Sequence, residues 1–419
     1  SQVELTTAFD EAKGACEKEW TTDIILDGPV ADQQAIRSFI FYLRRAVHPQ
    51  GAMSVAPYAL SNKTYNGHIF WDADLWVFPA IALLEPARAR IIPDYRIRML
   101  PQAKRNFAKW VASGRPTGGE PLGVTAVSPG AKFPWESSVS GGETIKGDSQ
   151  FEDHVSGGVA WLVNLSNALG MTDNNHVLPA VAEFYRSRSV PGPLGREIKG
   201  TLSPDEFHMG SNDLYTNLLA QWTMNGGKWN GPFKFKLPRD QKKFLTYDGD
   251  KQRAYKQAAA VLSIYPLQFP DAVAQSHQMI ERFGSKVTPN GPAMSDSIHA
   301  LISARNGDRD LAYETWHRSW QPFTDQPLML FSEKKGKAST YFVTGAAGSL
   351  QAVIYGFLNF RIGPDKPTKG WVQPLKNGYW LSSTPRLPKA WKSVTVKGMS
   401  ILGKRYTFEF DSAGITPKP

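Results

Sequence analysis

Apolar residues recur at helical spacing over most of the chain between residues 33 and 360. The spacing predicts eleven helices, at residues 32–47, 81–90, 97–112, 154–169, 176–187, 214–225, 253–264, 270–283, 295–305, 308–319 and 345–358. The loops between them are rich in Gly, Pro, Ser and Trp, as at 127–142. Many helices with almost no alternating strands predict an all-α architecture.

The pattern changes after Gly363. Residues 364–370 are rich in Pro and Lys, and residues 393–396 and 406–410 then alternate as strands do. We therefore expect a lead-in at 1–32, a helical domain at 33–363 and a small β region at 364–419. Helices in such number could pair into a closed double ring, but periodicity alone leaves that closure open.

Composition narrows the classes of function. The only cysteine among 419 residues, Cys16, lies beside Glu17, and we expect a structural role for it. The chain has no apolar run long enough to cross a membrane. It opens at Ser1 without a charged start followed by an apolar run, and we expect an exported chain, secreted or periplasmic.

The formal net charge of +10 could indicate nucleic-acid binding, but the basic residues are spread along the chain. Their densest cluster, Lys334, Lys335 and Lys337, is short, so a solvated basic surface is favoured and no nucleic-acid partner is expected. The 13 tryptophans suit the apolar faces of sugar rings, although tryptophan is also a common core residue.

Four loops place acidic residues beside tryptophan, phenylalanine or glycine. They lie at 67–74, at 130–137, at 202–208 with 212–217, and at 331–333 with 341–351. Cleavage of a glycosidic bond needs one carboxylic acid to protonate the leaving oxygen. It needs a second carboxylate to activate water or to attack the sugar. The loops are therefore candidates for a carbohydrate-cleaving site.

These loops resemble glycoside hydrolase family 65, which includes acid trehalases, kojibiose hydrolases, sugar phosphorylases and the glucosidases of glucosylgalactosylhydroxylysine. The motifs that carry the resemblance occur in the family's order, at 65–72, 132–137, 203–208, 215–217, 256–257, 291–294 and 345–351. The resemblance implies an (α/α)6 barrel catalytic domain, inversion at the anomeric carbon, no cofactor and a small carbohydrate or glycoconjugate substrate. Family members usually carry an N-terminal β-sandwich before the barrel, whereas this sequence starts about 30 residues before it; we expect either a minimal form or a chain from which that part was removed, and the oligomeric state stays open.

By this resemblance Glu206, in the Pro-Asp-Glu-Phe-His motif, matches the general acid. A general acid must hold a proton near the working pH, so we expect burial or a neighbouring acid to raise its pKa. Asp205 could supply that repulsion or could cap a turn, and the cap is favoured.

The remaining motif matches give the residues that we expect to bind the sugar. Trp71 and Asp72 match the residues that hold the glucosyl ring, because an Asp there accepts hydrogen bonds from ring hydroxyls. A substrate-binding pair is matched by Lys256 and Gln257, although Ala259 stands where the family commonly has Asp. A further loop contributes Trp135 and Glu136, which we expect to line the same pocket; Glu136 could instead be a buried structural acid.

The second carboxylate separates hydrolases from phosphorylases. Family phosphorylases carry a Thr-x-Glu-Gly-x-His loop for phosphate, and residues 338–343 here have neither the Glu nor the His. Family hydrolases carry a Glu a few residues earlier, where Glu333 lies. We therefore predict that Glu333 is the general base that activates water. The alternative is that Glu333 is a surface acid paired with Lys334 or Lys335.

Three histidines, His68, His154 and His208, fit no spacing of metal ligands, and we expect no metal. The leading interpretation is an inverting hydrolase of short α-linked glucosides of the trehalose, kojibiose, nigerose or glucosylgalactose type. Two alternatives stay open: a phosphorylase that releases β-glucose 1-phosphate, and a non-catalytic carbohydrate-binding protein.

Overall fold

The computed structural model describes residues 2–113, 130–337 and 339–418. It is rich in helix, as the sequence predicts. The α-helices are α1 (Gln2–Glu19), α2 (Val30–Ala46), α3 (Phe78–Ala82), α4 (Pro86–Ala89), α5 (Ile91–Arg98), α6 (Leu100–Ala112), α7 (His154–Ala168), α8 (Val177–Arg188), α9 (Leu214–Met224), α10 (Pro270–Ala274), α11 (Ser276–Gly284), α12 (Ser295–Asn306), α13 (Arg309–Trp320) and α14 (Val343–Gln351).

The innermost helices are buried on all sides. Every residue of α9 and α14 is buried, as is most of α7 and α12. A helix without a polar face lies inside a protein, surrounded by other helices. The neighbours are α7 and α8 for α9, and α2, α12 and α13 for α14. The core therefore lies between helices, and the loops at their ends carry the polar motifs.

The predicted helices at 81–90, 97–112 and 270–283 differ from the structure, and the last of them is divided at Gln275 into α10 and α11. The helix predicted at 81–90 is divided into α3 and α4, because Pro86 has no amide hydrogen to continue the first one. The helix predicted at 97–112 begins at Leu100, and its first residues belong to α5. The prediction at 345–358 is confirmed as α14 followed by a wider π-helical turn, Ala352–Phe357.

The helix predicted at 253–264 is wrong, since only a 3-10 turn, Ala260–Ser263, forms there. Tyr255 is extended: its amide donates to the Lys286 carbonyl at 2.8 Å, and its carbonyl accepts from the Thr288 amide at 2.8 Å. These two backbone bonds are incompatible with helical pairing. The irregular backbone places Lys256 and Gln257 in the site described below.

Strands form a sheet at one end of the chain and short pairs elsewhere. The predicted strands at 393–396 and 406–410 are confirmed within longer elements. The strands are β1 (Asp23–Asp27), β2 (Thr201–Leu202), β3 (Met209–Gly210), β4 (Arg239–Asp240), β5 (Lys243–Phe244), β6 (Thr324–Asp325), β7 (Leu330–Phe331), β8 (Phe360–Gly363), β9 (Trp371–Pro374), β10 (Trp380–Ser383), β11 (Ser393–Ile401), β12 (Lys404–Asp411) and β13 (Gly414–Lys418).

The N-terminal residues contribute to the C-terminal sheet. The four-stranded sheet has the order β1-β11-β12-β13, and β1 pairs antiparallel with β11 from Asp23↔Lys397 to Asp27↔Ser393. A bulge at Gly398, with φ +69°, interrupts β11 where an added Cβ would lie 2.2 Å from the Thr21 carbonyl oxygen. The lead-in thus includes a strand that the apolar pattern did not predict. Three further strands form a second sheet in the order β8-β10-β9.

Asp32 connects α2 to α13 and to the segment before β11. Its carboxylate accepts hydrogen bonds from the Tyr313 hydroxyl at 2.6 Å, His317 Nε2 at 2.8 Å and Trp391 Nε1 at 2.8 Å. Burial by itself would raise the pKa of Asp32, but these bonds outweigh it and the pKa is lowered. Asp32 is therefore a buried, ionised link between distant parts of the chain.

Within the described parts of the chain, no helix has the length and apolar character needed to span a bilayer. The loop predicted at 127–142 is described only from Gly130 onwards; its first three residues lie outside the described residues.

Candidate active site

Glu206 lies at the tip of a small hairpin. Strands β2 and β3 pair through Thr201↔Gly210 and Leu202↔Met209, and residues 203–208 connect them. The Glu206 amide donates to the Ser203 carbonyl at 2.8 Å, and Glu206 has φ +59°. A left-handed backbone is uncommon outside glycine and is a feature of functional sites, where surrounding contacts maintain it.

Asp205 stabilises that turn. Its Oδ1 accepts from the amides of Phe207 and His208 at 3.2 and 3.3 Å, and its Oδ2 lies 2.5 Å from His208 Nδ1. All these partners belong to the hairpin loop itself. The favoured interpretation of Asp205, a turn cap, agrees with this geometry.

Lys256 and Gln257 converge on Glu206. The Lys256 ammonium contacts Glu206 Oε2, while Gln257 Nε2 donates to Glu206 Oε1 at 2.9 Å and to the Pro204 carbonyl at 2.7 Å. Each oxygen of the carboxylate therefore has its own donor. The pair that the sequence predicted to bind substrate holds the predicted acid in this structure.

Glu333 has a different set of partners. The Tyr58 hydroxyl donates to Glu333 Oε2 at 2.9 Å, and the Tyr65 hydroxyl lies 3.1 Å from Oε1 and 3.2 Å from Oε2. Burial and the charge of Glu333 raise the pKa of both tyrosines, so both stay protonated hydrogen-bond donors. Glu333 is thus held by two neutral hydroxyls rather than by Lys334 or Lys335.

Trp71 and Asp72 lie at the start of the π-helical turn Ala73–Val77. Asp72 is buried, and its Oδ2 accepts a hydrogen bond from the Thr344 hydroxyl at 2.8 Å. The Trp71 ring packs edge-on against His154, with ring centroids 4.6 Å apart. Rigid neighbours therefore fix both side chains that the sequence matched to a glucosyl subsite.

The charges of Glu206 and Glu333 both affect Asp72 and Tyr65. Burial raises the pKa of Asp72 to about 7; the Thr344 hydrogen bond opposes that rise, and the charges of Glu206 and Glu333 add to it. The pKa of Tyr65 is raised by burial and by the charges of Glu333, Asp72 and Glu206. Because such interactions weaken with distance, the two carboxylates lie near the same two residues.

The loop with Trp135 and Glu136 borders the Tyr65–Asp72 loop. Ile69 and Ser137 exchange backbone hydrogen bonds at 2.9 and 3.0 Å, and Trp135 packs edge-on against Phe70 at 4.9 Å. Glu136 Oε1 lies 2.5 Å from His68 Nδ1. Glu136 is thus tied to the neighbouring loop, which agrees with the structural alternative stated for it.

Glu152 is an acidic residue near the site that sequence reasoning missed. It is buried, and its Oε2 lies 2.9 Å from His154 Nε2. Burial first, and then the charge of Glu206, raise its pKa well above the ordinary range, while Lys256 opposes the rise. Burial also lowers the pKa of His154 to about 3, so its imidazole is neutral at pH 7. Its only sequence signal is an acid just before α7.

The three histidines considered as metal ligands each lie against a carboxylate: His68 against Glu136, His154 against Glu152, and His208 against Asp205. Across residues 2–113, 130–337 and 339–418, His, Cys, Asp and Glu side chains form no group of three suited to holding a metal ion. The arrangement provides two separately held carboxylates, Glu206 and Glu333, beside a buried Asp72.

Comparison with known proteins finds a matching family model and relatives whose names state an activity. Residues 37–229 match the family model of the glycosyl hydrolase family 65 central catalytic domain. The chain is 31% identical to a kojibiose hydrolase of Flavobacterium johnsoniae over 92% of the chain and 57% of that protein. It is also 31% identical to a protein-glucosylgalactosylhydroxylysine glucosidase of Mus musculus, over 93% of the chain and 58% of that protein.

The fold is shared with a solved structure, a putative kojibiose phosphorylase from the human microbiome. The two agree with a TM-score of 0.72 at 19% identity, over 95% of this chain and 64% of the other. The chain spans little more than half the length of the curated relatives it matches. The family model ends before Lys256, Gln257 and Glu333, whereas the alignments to whole relatives cover most of the chain. Residues 37–229 thus match the central catalytic domain of glycosyl hydrolase family 65, and the relatives named above align with most of the chain.

Proposed function

We propose that this chain carries the active site of an inverting glycoside hydrolase that cleaves short α-linked glucosides. The observation that carries the proposal is the pair of carboxylates, Glu206 and Glu333, whose charges both act on Asp72 and Tyr65. An inverting site needs two such groups on opposite faces of the sugar, about 6.5–9.5 Å apart, with a water between. Both curated relatives compared above are named for hydrolysis of glucosides.

In the proposed reaction Glu206, as its carboxylic acid, gives its proton to the glycosidic oxygen while the bond from that oxygen to C1 breaks. Water attacks C1 from the opposite face, and Glu333 accepts the proton that the water loses. The products are β-glucose and the free leaving-group alcohol. Proton exchange with solvent then restores both carboxyl groups.

The partners of each carboxyl group fit its role. Tyr58 and Tyr65 orient Glu333 without neutralising it, which leaves it able to accept a proton. An ammonium beside a carboxyl favours the ionised form. We therefore propose that Lys256 turns from Glu206 to a sugar hydroxyl when substrate binds, while Gln257 keeps the carboxyl in place.

The glucosyl ring is proposed to lie over Trp71, with its hydroxyls donating to Asp72. Trp135 and Glu136 are proposed to border the same subsite from the adjoining loop. A sugar that lacks the matching hydroxyl would leave the buried Asp72 acceptor unpaired and would therefore bind more weakly. This difference is the basis of the proposed selectivity for glucose. Substrates of the kojibiose, trehalose, nigerose or glucosylgalactose type share that ring and differ in the leaving group.

We also propose that the helices of residues 33–363 close into an (α/α)6 barrel and form the catalytic unit. The shared fold with a family-related structure and the all-round burial of α9 and α14 support this. In such an arrangement the loops that carry Asp72, Glu206 and Glu333 would meet at one end of the inner helices.

The experiment is glucose release from α-linked disaccharides and from glucosylgalactose, with and without phosphate. Wild type, Glu206→Gln and Glu333→Gln are compared, with Glu183→Gln on the surface helix α8 as the matched control. Phosphate-independent release that both site variants lose and the control keeps is expected. Release of glucose 1-phosphate only when phosphate is present would replace the proposal with a phosphorylase. Sugar binding without turnover in the wild type would replace it with a binding protein.

A further inference from the structure

A small cavity lies beside Gln257. Its volume is about 10 Å³, close to the room that a single water molecule needs. The polar residues that line it are Thr246, Tyr255, Gln257 and His299, and the rest of the lining is apolar. Thr246, Gln257 and His299 are all at most 3% exposed.

Three of these residues have buried polar atoms that make no hydrogen bond of good geometry in the described structure, and Thr246 also interacts with the Tyr255 hydroxyl. These atoms are Thr246 Oγ1, Gln257 Oε1 and His299 Nε2. His299 Nδ1 lies 3.8 Å from Asp296 Oδ1, which is too long for a hydrogen bond. Leaving a buried polar group unpaired is unfavourable, so three around one cavity indicate a shared partner.

The orientation of the Gln257 amide explains why its oxygen faces away from the active site. Nε2 donates to both the Pro204 carbonyl and Glu206 Oε1. Turning the amide over would bring Oε1 against these two acceptors, which would repel it. Oε1 is therefore fixed towards the cavity, where no donor of the described structure is placed to meet it.

We propose that one water molecule occupies this cavity, donates to Gln257 Oε1, and is itself held by Thr246 and His299. Thr246 and His299 are then positioning residues for Glu206: they act through the water and the Gln257 amide and touch no substrate. A water fits because it can donate and accept at once, and two to four polar partners are usual for a buried one. The inference rests on the proposed role of Glu206 as the general acid.

The test compares Thr246→Val, which keeps the shape but removes the hydroxyl, with Thr246→Ser, which keeps the hydroxyl. Thr223→Val is the matched control, because Thr223 Oγ1 on α9 is also buried without a partner but does not line the cavity. We expect Thr246→Val to lower kcat for a cleaved disaccharide roughly ten-fold with little change in KM, since a small misplacement of a catalytic group is costly. Thr246→Ser is expected to restore kcat, and Thr223→Val to leave it unchanged.

A crystal structure of the wild-type protein gives a second, independent readout, and it is decisive even where Thr246→Val does not fold. Density for one water within hydrogen-bond distance of Gln257 Oε1, Thr246 Oγ1 and His299 Nε2 is expected. A dry cavity, or equal kcat values for Thr246→Val and Thr223→Val, would overturn the inference. Failure of the proposed function is a different result, because the wild type itself would then release no glucose.

Discussion

The hydroxyl of Tyr65 lies within 3.2 Å of both carboxylate oxygens of Glu333, and so joins the loop before Asp72 to the proposed base. Tyr65 also has φ +59°, in a run of left-handed residues that continues through Asn66 and Gly67. The residues preceding the Trp-Asp motif thus position a group more than 250 positions later in the chain.

Removing this hydroxyl tests whether it orients the base. Tyr65→Phe is expected to lower kcat by roughly ten- to a hundred-fold, because a hydrogen bond to a charged group contributes about 1.5–3 kcal/mol. Tyr58→Phe should act in the same direction, since it donates to the same carboxylate. Steady-state kinetics measure both. Tyr379→Phe is the control and should keep wild-type kcat. The hydroxyl that it removes belongs to the C-terminal β region and accepts a hydrogen bond from Asn164 at 2.7 Å.

The buried Asp72 carboxylate should lower the free energy of unfolding at neutral pH, because burial raises the pKa of Asp72 from 3.8 to about 7. Below pH 4 both the folded and unfolded chains hold the proton. Between pH 4 and 7 the unfolded chain loses it first, so unfolding becomes more favourable, and above pH 7 the full penalty remains. Asp72→Asn, which is always neutral, is expected to gain on the order of 3 kcal/mol over wild type at pH 8.

Urea unfolding at pH 4 and pH 8 measures this difference, with the exposed Asp240→Asn as control. The gain should be absent at pH 4, and the variant should have lost glucose release. An Asp72→Asn protein with equal gains at the two pH values would show that Asp72 does not titrate as described.

Asp32 should show the opposite pH dependence. Its pKa is lowered by hydrogen bonds from His317, Trp391 and Tyr313, against the effect of burial. The contribution of Asp32 to the free energy of unfolding is therefore fully present above its unfolded-state pKa of about 3.9. It is lost as the pH falls through the lower pKa that Asp32 has in the folded state. Asp32→Asn is expected to be less stable than wild type by about 2 kcal/mol or more at pH 7.

The stability difference between Asp32→Asn and wild type should become smaller below pH 4. Urea unfolding at pH 7 and pH 3 would measure this change. The exposed pair of Asp94 with Arg90 supplies the control, Asp94→Asn, whose effect should be small because solvent screens it. A stability difference for Asp32→Asn that persists unchanged at pH 3 would contradict the assignment of an ionised Asp32.

Phe207 follows Glu206 directly and is 58% exposed. An exposed aromatic ring beside the proposed acid suits the apolar face of a leaving-group sugar. Phe207→Ala is expected to raise KM for a cleaved disaccharide about three- to ten-fold, in line with about 0.5–1.5 kcal/mol for an aromatic contact. KM for α-glucosyl fluoride should not change, because its leaving group has no ring. Leu194→Ala, another exposed apolar residue, is the control.

The turn around Glu206 is specified by residues close together in the sequence. Asp205, Glu206 and His208 form their turn from neighbouring residues, so six positions specify the geometry. The apolar spacing of α7, α9 and α12 was equally informative, because helix periodicity depends on nearby residues.

Contacts between distant segments were not predictable in this way. The helix predicted at 253–264 failed because Tyr255 pairs with the backbone of residues 286–288, a tertiary contact without a local signal. Glu152 resembles an ordinary acid before a helix, and only the fold brings it near Glu206 and His154. The pairing of β1 with β11 likewise joins opposite ends of the chain. Ala338, within the segment compared with a phosphate loop, lies outside the described residues.

The central claim is that Glu206 acts as the acid and Glu333 as the base, and a single comparison of initial rates tests it most directly. Wild type, Glu206→Gln and Glu333→Gln are assayed on a cleaved disaccharide and on α-glucosyl fluoride, whose departing fluoride needs no protonation. Glu206→Gln is expected to lose the disaccharide reaction but keep most of the fluoride reaction, while Glu333→Gln is expected to lose both. Equal loss of both reactions in Glu206→Gln, or a Glu333→Gln protein that keeps the disaccharide reaction, would contradict it.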